Sequence, residues 1–269
     1  VTDNGSSSGS IGPLEATLRS VRDAGRKSFV PYITGGYPDV WQMSINAAFA
    51  NGADALEIGL PFSDPVMDGP TIQEASELAL RSGATPSSIL DDVKNLDSDI
   101  PMAAMTYYNI AFRMGHQRFA ETLAEAGVKA AILPDLPLEE VGPWTEVADA
   151  VGIETILLAA PTAPDERLPS ICERSRGFVY GVGLLGITGE REELAASAIE
   201  MARRLKDVTD MPVLVGVGVS TPAQAVEACS VADGVIVGSA VVRQMMENGP
   251  EAVGALCADF RSALDAAYS

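Results

Sequence analysis

Histidine is almost absent from the 269-residue chain, which carries a single one, His116. That scarcity removes most histidine-centred triads and most zinc or iron centres before any motif is read, and no metal site is expected. Cysteine is scarce too: three residues, an odd number, with no Cys-x-x-Cys spacing. A disulfide scaffold or zinc knuckle does not fit that count, whereas a reducing cytoplasm does. Positive charge is also short. Lys and Arg number 18 against 37 Asp and Glu, giving a formal net charge of −19. So acidic a surface repels nucleic-acid phosphates and anionic lipid, so neither kind of partner is expected. No run approaches the roughly 18 apolar residues of a membrane helix. The first residues lack the basic start and apolar core of a signal peptide.

What is present is a repeating pattern. Residues 1–10, VTDNGSSSGS, are small and polar, cannot bury apolar area, and are expected to form a disordered tail. From Ile11 to Ser269 no Pro/Gly/Ser stretch is long enough to separate domains, so 11–269 is expected to be one domain. Eight short apolar runs recur: Phe29–Thr34, Ala55–Gly59, Met102–Thr106, Ala130–Leu133, Glu154–Leu158, Phe178–Val182, Val213–Val217 and Gly234–Val237. Runs apolar on both faces are the mark of buried parallel strands. Helix signals lie between them. Asn51-Gly52 is a C-cap pair, Thr85-Pro86 and Thr221-Pro222 are helix starts, and Val253, Leu256, Cys257, Phe260 and Leu264 form one helical stripe. The cysteines fall in these helices and read as small buried hydrophobes. Eight β/α units in about 240 residues fit a closed (β/α)8 barrel best, with a doubly wound open sheet second. Extra helices are expected at 13–24, where one could cover the barrel bottom, and at 86–96, between the second and third strands.

Barrel chemistry sits at the C-terminal ends of the strands. Glu57 lies inside an apolar strand. Facing inward it would be desolvated, which raises a carboxyl pKa into the range of a general acid or base. The alternative is a structural carboxylate paired with a Lys or a backbone amide. Asp68, eleven residues on, is either a second mouth carboxylate or part of a plain Asp68-Gly69-Pro70 turn. Asp64 reads as a loop or partner-contact residue. Gly216-Val217-Gly218 and Gly238-Ser239 close the seventh and eighth runs, the latter ahead of a short helical segment, 240–247. Phosphate is often held at those two loops, through backbone N–H groups and a helix N-terminus. Fixed N–H dipoles would let an acidic protein hold an anion. Gly181 to Gly186 spell GxGxxG, yet no helix start follows, and the next run ends in glycines rather than an acidic ribose ligand. The segment reads as a loop closing over substrate, not as a dinucleotide site. Tyr180 could face the pocket. His116 reads as a surface or capping residue, and Asp135 either orients active-site groups or caps a turn.

FVPYITGGYP at 29–38, LEIGLPFSDPVMDGPTIQ at 56–73, MTYYN at 105–109, LPDLPLEE at 133–140, GITGER at 186–191 and the glycines of 216–220 and 234–239 occur in one order along the chain. In these pieces the sequence resembles the tryptophan synthase α-subunit family. The resemblance implies a (β/α)8 barrel that cleaves indole-3-glycerol phosphate to indole and glyceraldehyde 3-phosphate, in L-tryptophan biosynthesis. It implies that Glu57 and Asp68 are the catalytic pair, and that Gly189, Gly218, Gly238 and Ser239 bind phosphate. Tyr32 and Tyr180 would line the pocket, and Thr188 would meet the catalytic Asp on closure. No cofactor is implied in this chain. A β subunit carrying pyridoxal phosphate would receive indole in an α2β2 heterotetramer, contacting the regions of Asp64, Asn109 and Pro137. A stand-alone indole-3-glycerol-phosphate lyase and a subunit that mainly activates its partner are the alternatives. Three departures stand out: GVGLLGITG lacks a Ser-Arg after Tyr180, Ile110-Ala111 follows Asn109 where many relatives have Pro, and Met67 precedes Asp68 in place of a smaller residue.

Overall fold

The protein's structure is a computed structural model, describing residues 11–96, 98–183, 191–216 and 218–268. The tail 1–10, Thr188, Gly189 and Val217 lie outside the described residues. All eight apolar runs contain strands: β1 (Ser28–Thr34), β2 (Leu56–Gly59), β3 (Met102–Met105), β4 (Ala130–Ile132), β5 (Glu154–Ala159), β6 (Val179–Gly181), β7 (Val213–Val215) and β8 (Gly234–Val237). Each pairs in parallel with the next, and β8 closes on β1 through Phe29 and Val235. Closure rules out the open sheet and establishes the (β/α)8 barrel.

The helices are α1 (Pro13–Asp23), α2 (Trp41–Ala50), α3 (Pro70–Arg81), α4 (Pro86–Lys94), α5 (Tyr108–Met114), α6 (His116–Glu125), α7 (Gly142–Val151), α8 (Leu168–Arg174), α9 (Arg191–Lys206), α10 (Pro222–Cys229), α11 (Ser239–Asn248) and α12 (Pro250–Tyr268). Both expected extra helices exist, as α1 and α4. Thr85 and Thr221 each cap their helix through a capping box, a pairing that satisfies two otherwise orphaned N–H groups. The structure adds α5, for which the sequence offered no local start signal. Its first N–H, on Tyr108, donates to Asp135 Oδ1 at 2.7 Å, from a loop 27 residues away in sequence. Asp135 is therefore a helix cap reaching across two loops. No helix among the described residues is long and apolar enough to cross a membrane.

Alternation along the strands sorts the core into two. Val30, Ala55, Ala103, Ala130, Ile132, Ile156, Phe178, Leu214 and Ile236 fill the barrel interior together with Leu14 and Leu18 of α1. The first helix thus plugs the floor. Its entry is fixed by Glu154 at the start of β5, whose two carboxylate oxygens accept the N–H groups of Leu14 (2.8 Å) and Glu15 (2.9 Å). A carboxylate on a helix N-terminus is favourable both as a hydrogen-bond acceptor and against the helix dipole. The lower rim carries two further anchors. Asp54 accepts from Phe29 N–H and Arg261, and Asp233 from Val213 N–H and Lys206. Carboxylates on this face serve stability, which leaves the opposite face for chemistry. Cys172, Cys229 and Cys257 are free and buried in α8, α10 and α12, as expected of small hydrophobes.

Candidate active site

Glu57 sits in the middle of β2 with its side chain on the inner face, 2 % exposed. One oxygen, Oε2, has no hydrogen-bond partner among the described residues. Among the described residues neither a Lys nor a backbone amide meets that oxygen. Burial, and secondarily the charge of Asp68, push its pKa up to about 8. At neutral pH such a group holds its proton and can release it, the property a general acid/base needs.

Asp68 closes the loop that runs from Leu60 to the start of α3. The loop is tied down at several points. Leu60 N–H donates to Met105 O (2.8 Å), Thr106 Oγ1 to Leu60 O (3.1 Å) and Gln73 Nε2 to Asp68 O (2.8 Å). Tyr107, just past β3, is the residue that the sequence alone did not single out. Its ring stacks on Phe62 with centroids 5.1 Å apart, and its hydroxyl accepts from Met67 N–H at 2.8 Å. Burial raises the Asp68 pKa to about 6, and a hydrogen bond from the Tyr107 hydroxyl opposes the rise. At pH 7 Asp68 is therefore an anion while Glu57 is a neutral acid. Two carboxyls with separated pKa values divide the acid and anion roles between them. The turn reading of Asp68 is also correct in part, since Gly69 is the N-cap of α3 and Pro70 its first residue.

Tyr32 and Tyr180 are both buried and face inward. Each depends on a glycine. A Cβ on Gly59 would lie 1.8 Å from Tyr32 Oη, and one on Gly216 would lie 2.0 Å from Tyr180 Oη. Real Cβ contacts never come so close, so any side chain at either glycine displaces its tyrosine. Gly216 thus has a packing duty distinct from the anion-binding one expected of its loop. Gly218 adopts φ +87°, a left-handed conformation that favours glycine. Gly238 is the N-cap of α11 and supplies no side-chain cap, so the first-turn N–H groups of α11 have no side-chain acceptor there. The end of the Asp68 loop adjoins this turn: a Cβ on Gly69 would stand 3.9 Å from Ser239 Oγ, and Arg243 Nη2 donates to Thr71 Oγ1 at 3.1 Å.

A cavity of about 440 Å³ opens beside these groups. Met67, the residue before Asp68, lines it together with Leu133, Pro134, Leu158, Val182 and Arg167. Glu57, Asp68, Tyr32, Tyr180 and Gly238 do not line it, so this cavity adjoins the site through Met67 and does not contain the carboxylates. Asp64, Asn109 and Pro137 are exposed on three successive β-to-α connections of the same face, Asn109 in the first turn of α5. Val66 (83 % exposed) and Phe112 (63 % exposed) add apolar surface to those same β2 and β3 connections. His116 is half-buried, with Nε2 2.8 Å from Tyr108 Oη and its ring edge-on to Trp144. It opens α6 as an aromatic packing residue, away from the carboxylates. No cluster of metal-ligating residues occurs among the described residues.

A closed parallel barrel with a buried acid and a second carboxylate at the C-terminal ends of its strands defines the class: a (β/α)8-barrel protein with an enzyme-like site at that mouth. Comparison with known proteins narrows this. The family model for tryptophan synthase alpha chain matches residues 18–262. The chain is similar to the tryptophan synthase alpha chain of Streptomyces coelicolor, at 43 % identity over 94 % of this chain and 96 % of that one. It is similar to that of Methanocaldococcus jannaschii, at 41 % identity over 88 % and 87 %. Among solved structures, a Mycobacterium tuberculosis tryptophan synthase superposes with a TM-score of 0.87 at 38 % identity, covering 94 % of this chain and 98 % of that one. The chain belongs to the tryptophan synthase alpha chain family.

Proposed function

We propose that this chain cleaves indole-3-glycerol phosphate to indole and glyceraldehyde 3-phosphate, a carbon–carbon lyase reaction closing L-tryptophan biosynthesis. The observation that carries the proposal is the pairing of a protonated Glu57, whose Oε2 has no partner among the described residues, with an ionised Asp68 at one barrel mouth. The reaction needs those two states. Glu57 delivers its proton to indole C3, making the ring cationic. Asp68 accepts a hydrogen bond from the ring N–H and stabilises that charge, a preorganised electrostatic contribution. Glu57, now a carboxylate, takes the proton of the chain hydroxyl. The C=O bond forms, the bond to C3 breaks, and its electron pair returns to the ring. Tyr107 positions Asp68 and keeps it anionic. The first-turn N–H groups of α11, with Gly218, Gly238 and Ser239, take the phosphate, and Tyr180 lines the pocket. Thr188 and Gly189, outside the described residues, complete the proposed set of substrate-site residues. Binding energy from the phosphate holds the reacting carbon in register.

The family implies a β-subunit partner. We place its contact on the exposed face of Asp64, Asn109 and Pro137, with Val66 and Phe112 as apolar contributors, in a cytoplasmic α2β2 assembly whose β subunit carries the pyridoxal phosphate. Residues 11–269 act as one catalytic domain. The test is indole release from indole-3-glycerol phosphate by the purified chain, repeated after adding a β subunit. Release in the first assay and faster release in the second is the expected result. No indole in either would refute the proposal.

A further inference from the structure

Tyr32 stands beside Glu57 in the barrel wall, the two being register partners on β1 and β2. Its ring runs the length of the site. At one end, Tyr32 Oη lies over the Gly59 backbone on the carboxylate strand. At the other, a Cβ on Gly238 would come 3.8 Å from Tyr32 Cβ and 4.0 Å from its Cγ. The phenol therefore spans from the turn that begins α11 to the strand that carries Glu57. A substrate with phosphate at one end of a short carbon chain and the scissile bond at the other follows the same line.

The hydroxyl at the end of this span remains a proton donor. Burial, then Asp68, then Glu57 hold its pKa well above the ordinary tyrosine value, with a smaller opposing pull from the Thr34 hydroxyl. Glu57 Oε2, on the same inner face, is buried without a hydrogen-bond partner among the described residues. Thr34, whose hydroxyl bonds with Tyr32, pairs in register with Gly59, the residue under the phenol oxygen. An unsatisfied buried carboxyl oxygen is costly and marks a place where a polar ligand atom completes the hydrogen bonding.

We propose, resting on the cleavage reaction above, that the Tyr32 hydroxyl is a catalytic hydrogen-bond donor to the oxygen of the substrate's chain hydroxyl next to the scissile bond. Donating to that oxygen's lone pair turns the substrate's own O–H toward Glu57. In the step itself the substrate O–H breaks and its proton goes to Glu57. The oxygen becomes the aldehyde carbonyl, and the electron pair of the broken carbon–carbon bond returns to the indole ring. Tyr32 keeps its own proton throughout, so the phenol acts by orientation and by stabilising the charge that develops on the oxygen.

The experiment is Tyr32→Phe, which keeps the ring between Gly59 and Gly238 and removes the donor. Its kcat and KM for indole-3-glycerol phosphate are compared with wild type. So is its Kd for an unreactive analogue carrying a plain propyl phosphate chain on the indole. The expected result is a kcat lowered about 10- to 100-fold, the range for losing one hydrogen bond to a charge-bearing atom, with analogue Kd unchanged within about twofold. A kcat within about twofold of wild type overturns the assignment. So does analogue binding that weakens in step with kcat, because that signals a packing defect. A wild type that releases no indole overturns the cleavage reading and this assignment with it. An active wild type beside an unimpaired Tyr32→Phe overturns this assignment alone.

Discussion

Replacing Glu57 by Gln should separate activity from stability, in opposite directions. Glu57 is buried with no cationic partner among the described residues, and its pKa rises from 4.5 to about 8 on folding. The folded state holds this proton more tightly than the unfolded chain, so the carboxyl's contribution is fully favourable below about pH 4.5. It is lost progressively as pH rises toward 8 and is flat above that. At about 1.36 kcal/mol per pKa unit the full span is on the order of 5 kcal/mol, a ceiling that water entering the site would lower. A glutamine amide has the same shape and no charge to desolvate. The difference in unfolding free energy between Glu57→Gln and wild type should therefore grow in favour of the variant from pH 5 to pH 8. A gain of about 2 to 5 kcal/mol is expected, with no further change from pH 8 to 9. Urea denaturation at a series of pH values reads it directly, through the midpoint at constant slope. Parallel pH–stability curves for the two proteins would refute the reasoning, since they would mean that Glu57 titrates alike in the folded and unfolded chains.

Three other perturbations have defined outcomes. Tyr107→Phe removes the hydrogen bond that holds the Asp68 pKa down, so Asp68 should titrate above its present value of about 6. The acid limb of the kcat/KM pH profile should then move upward, and an unmoved limb would separate Asp68 from that limb. Gly238→Val places its first side-chain carbon in ordinary van der Waals contact with Ile72 and Tyr32, so the fold should survive. The affinity for phosphate-bearing ligands should nevertheless fall at least about tenfold by calorimetry, consistent with crowding at a helix N-terminus that holds an anion. Glu154→Ala strips both acceptors from the first turn of α1 and should cost about 1–2 kcal/mol in urea unfolding, the usual worth of a helix cap. Its kcat should remain at the wild-type level because the floor is remote from the chemistry.

Much of this molecule was legible in the sequence, for identifiable reasons. Buried parallel strands must be apolar on both faces, so eight short runs announced eight strands, and Thr-Pro steps announced α4 and α10 through local capping chemistry. Glu57 was conspicuous because a carboxylate inside an apolar run must be paid for by function or pairing. Asp68 and the glycines of the last two loops gained meaning from their position at strand ends. What the sequence did not disclose were contacts between segments far apart in the chain. Tyr107 looked like one more strand-end aromatic, and only folding brings its hydroxyl to Met67 and Asp68, forty residues earlier. Asp135 caps a helix in another loop, so no local spacing could identify α5. Gly216 carried an anion-binding expectation, whereas its lack of a side chain also makes room for Tyr180, a partner 36 residues back. Glu154, read only as the first residue of an apolar run, turned out to anchor the helix that plugs the barrel.

The most direct measurement is indole formation from indole-3-glycerol phosphate by wild type and by Glu57→Gln, side by side, with substrate affinity measured for both. The account predicts indole and glyceraldehyde 3-phosphate in equal amounts from wild type. It predicts turnover lowered by at least about 100-fold in the variant, the scale of losing a general acid/base, with substrate still bound. Cleavage by Glu57→Gln at close to the wild-type rate would contradict it.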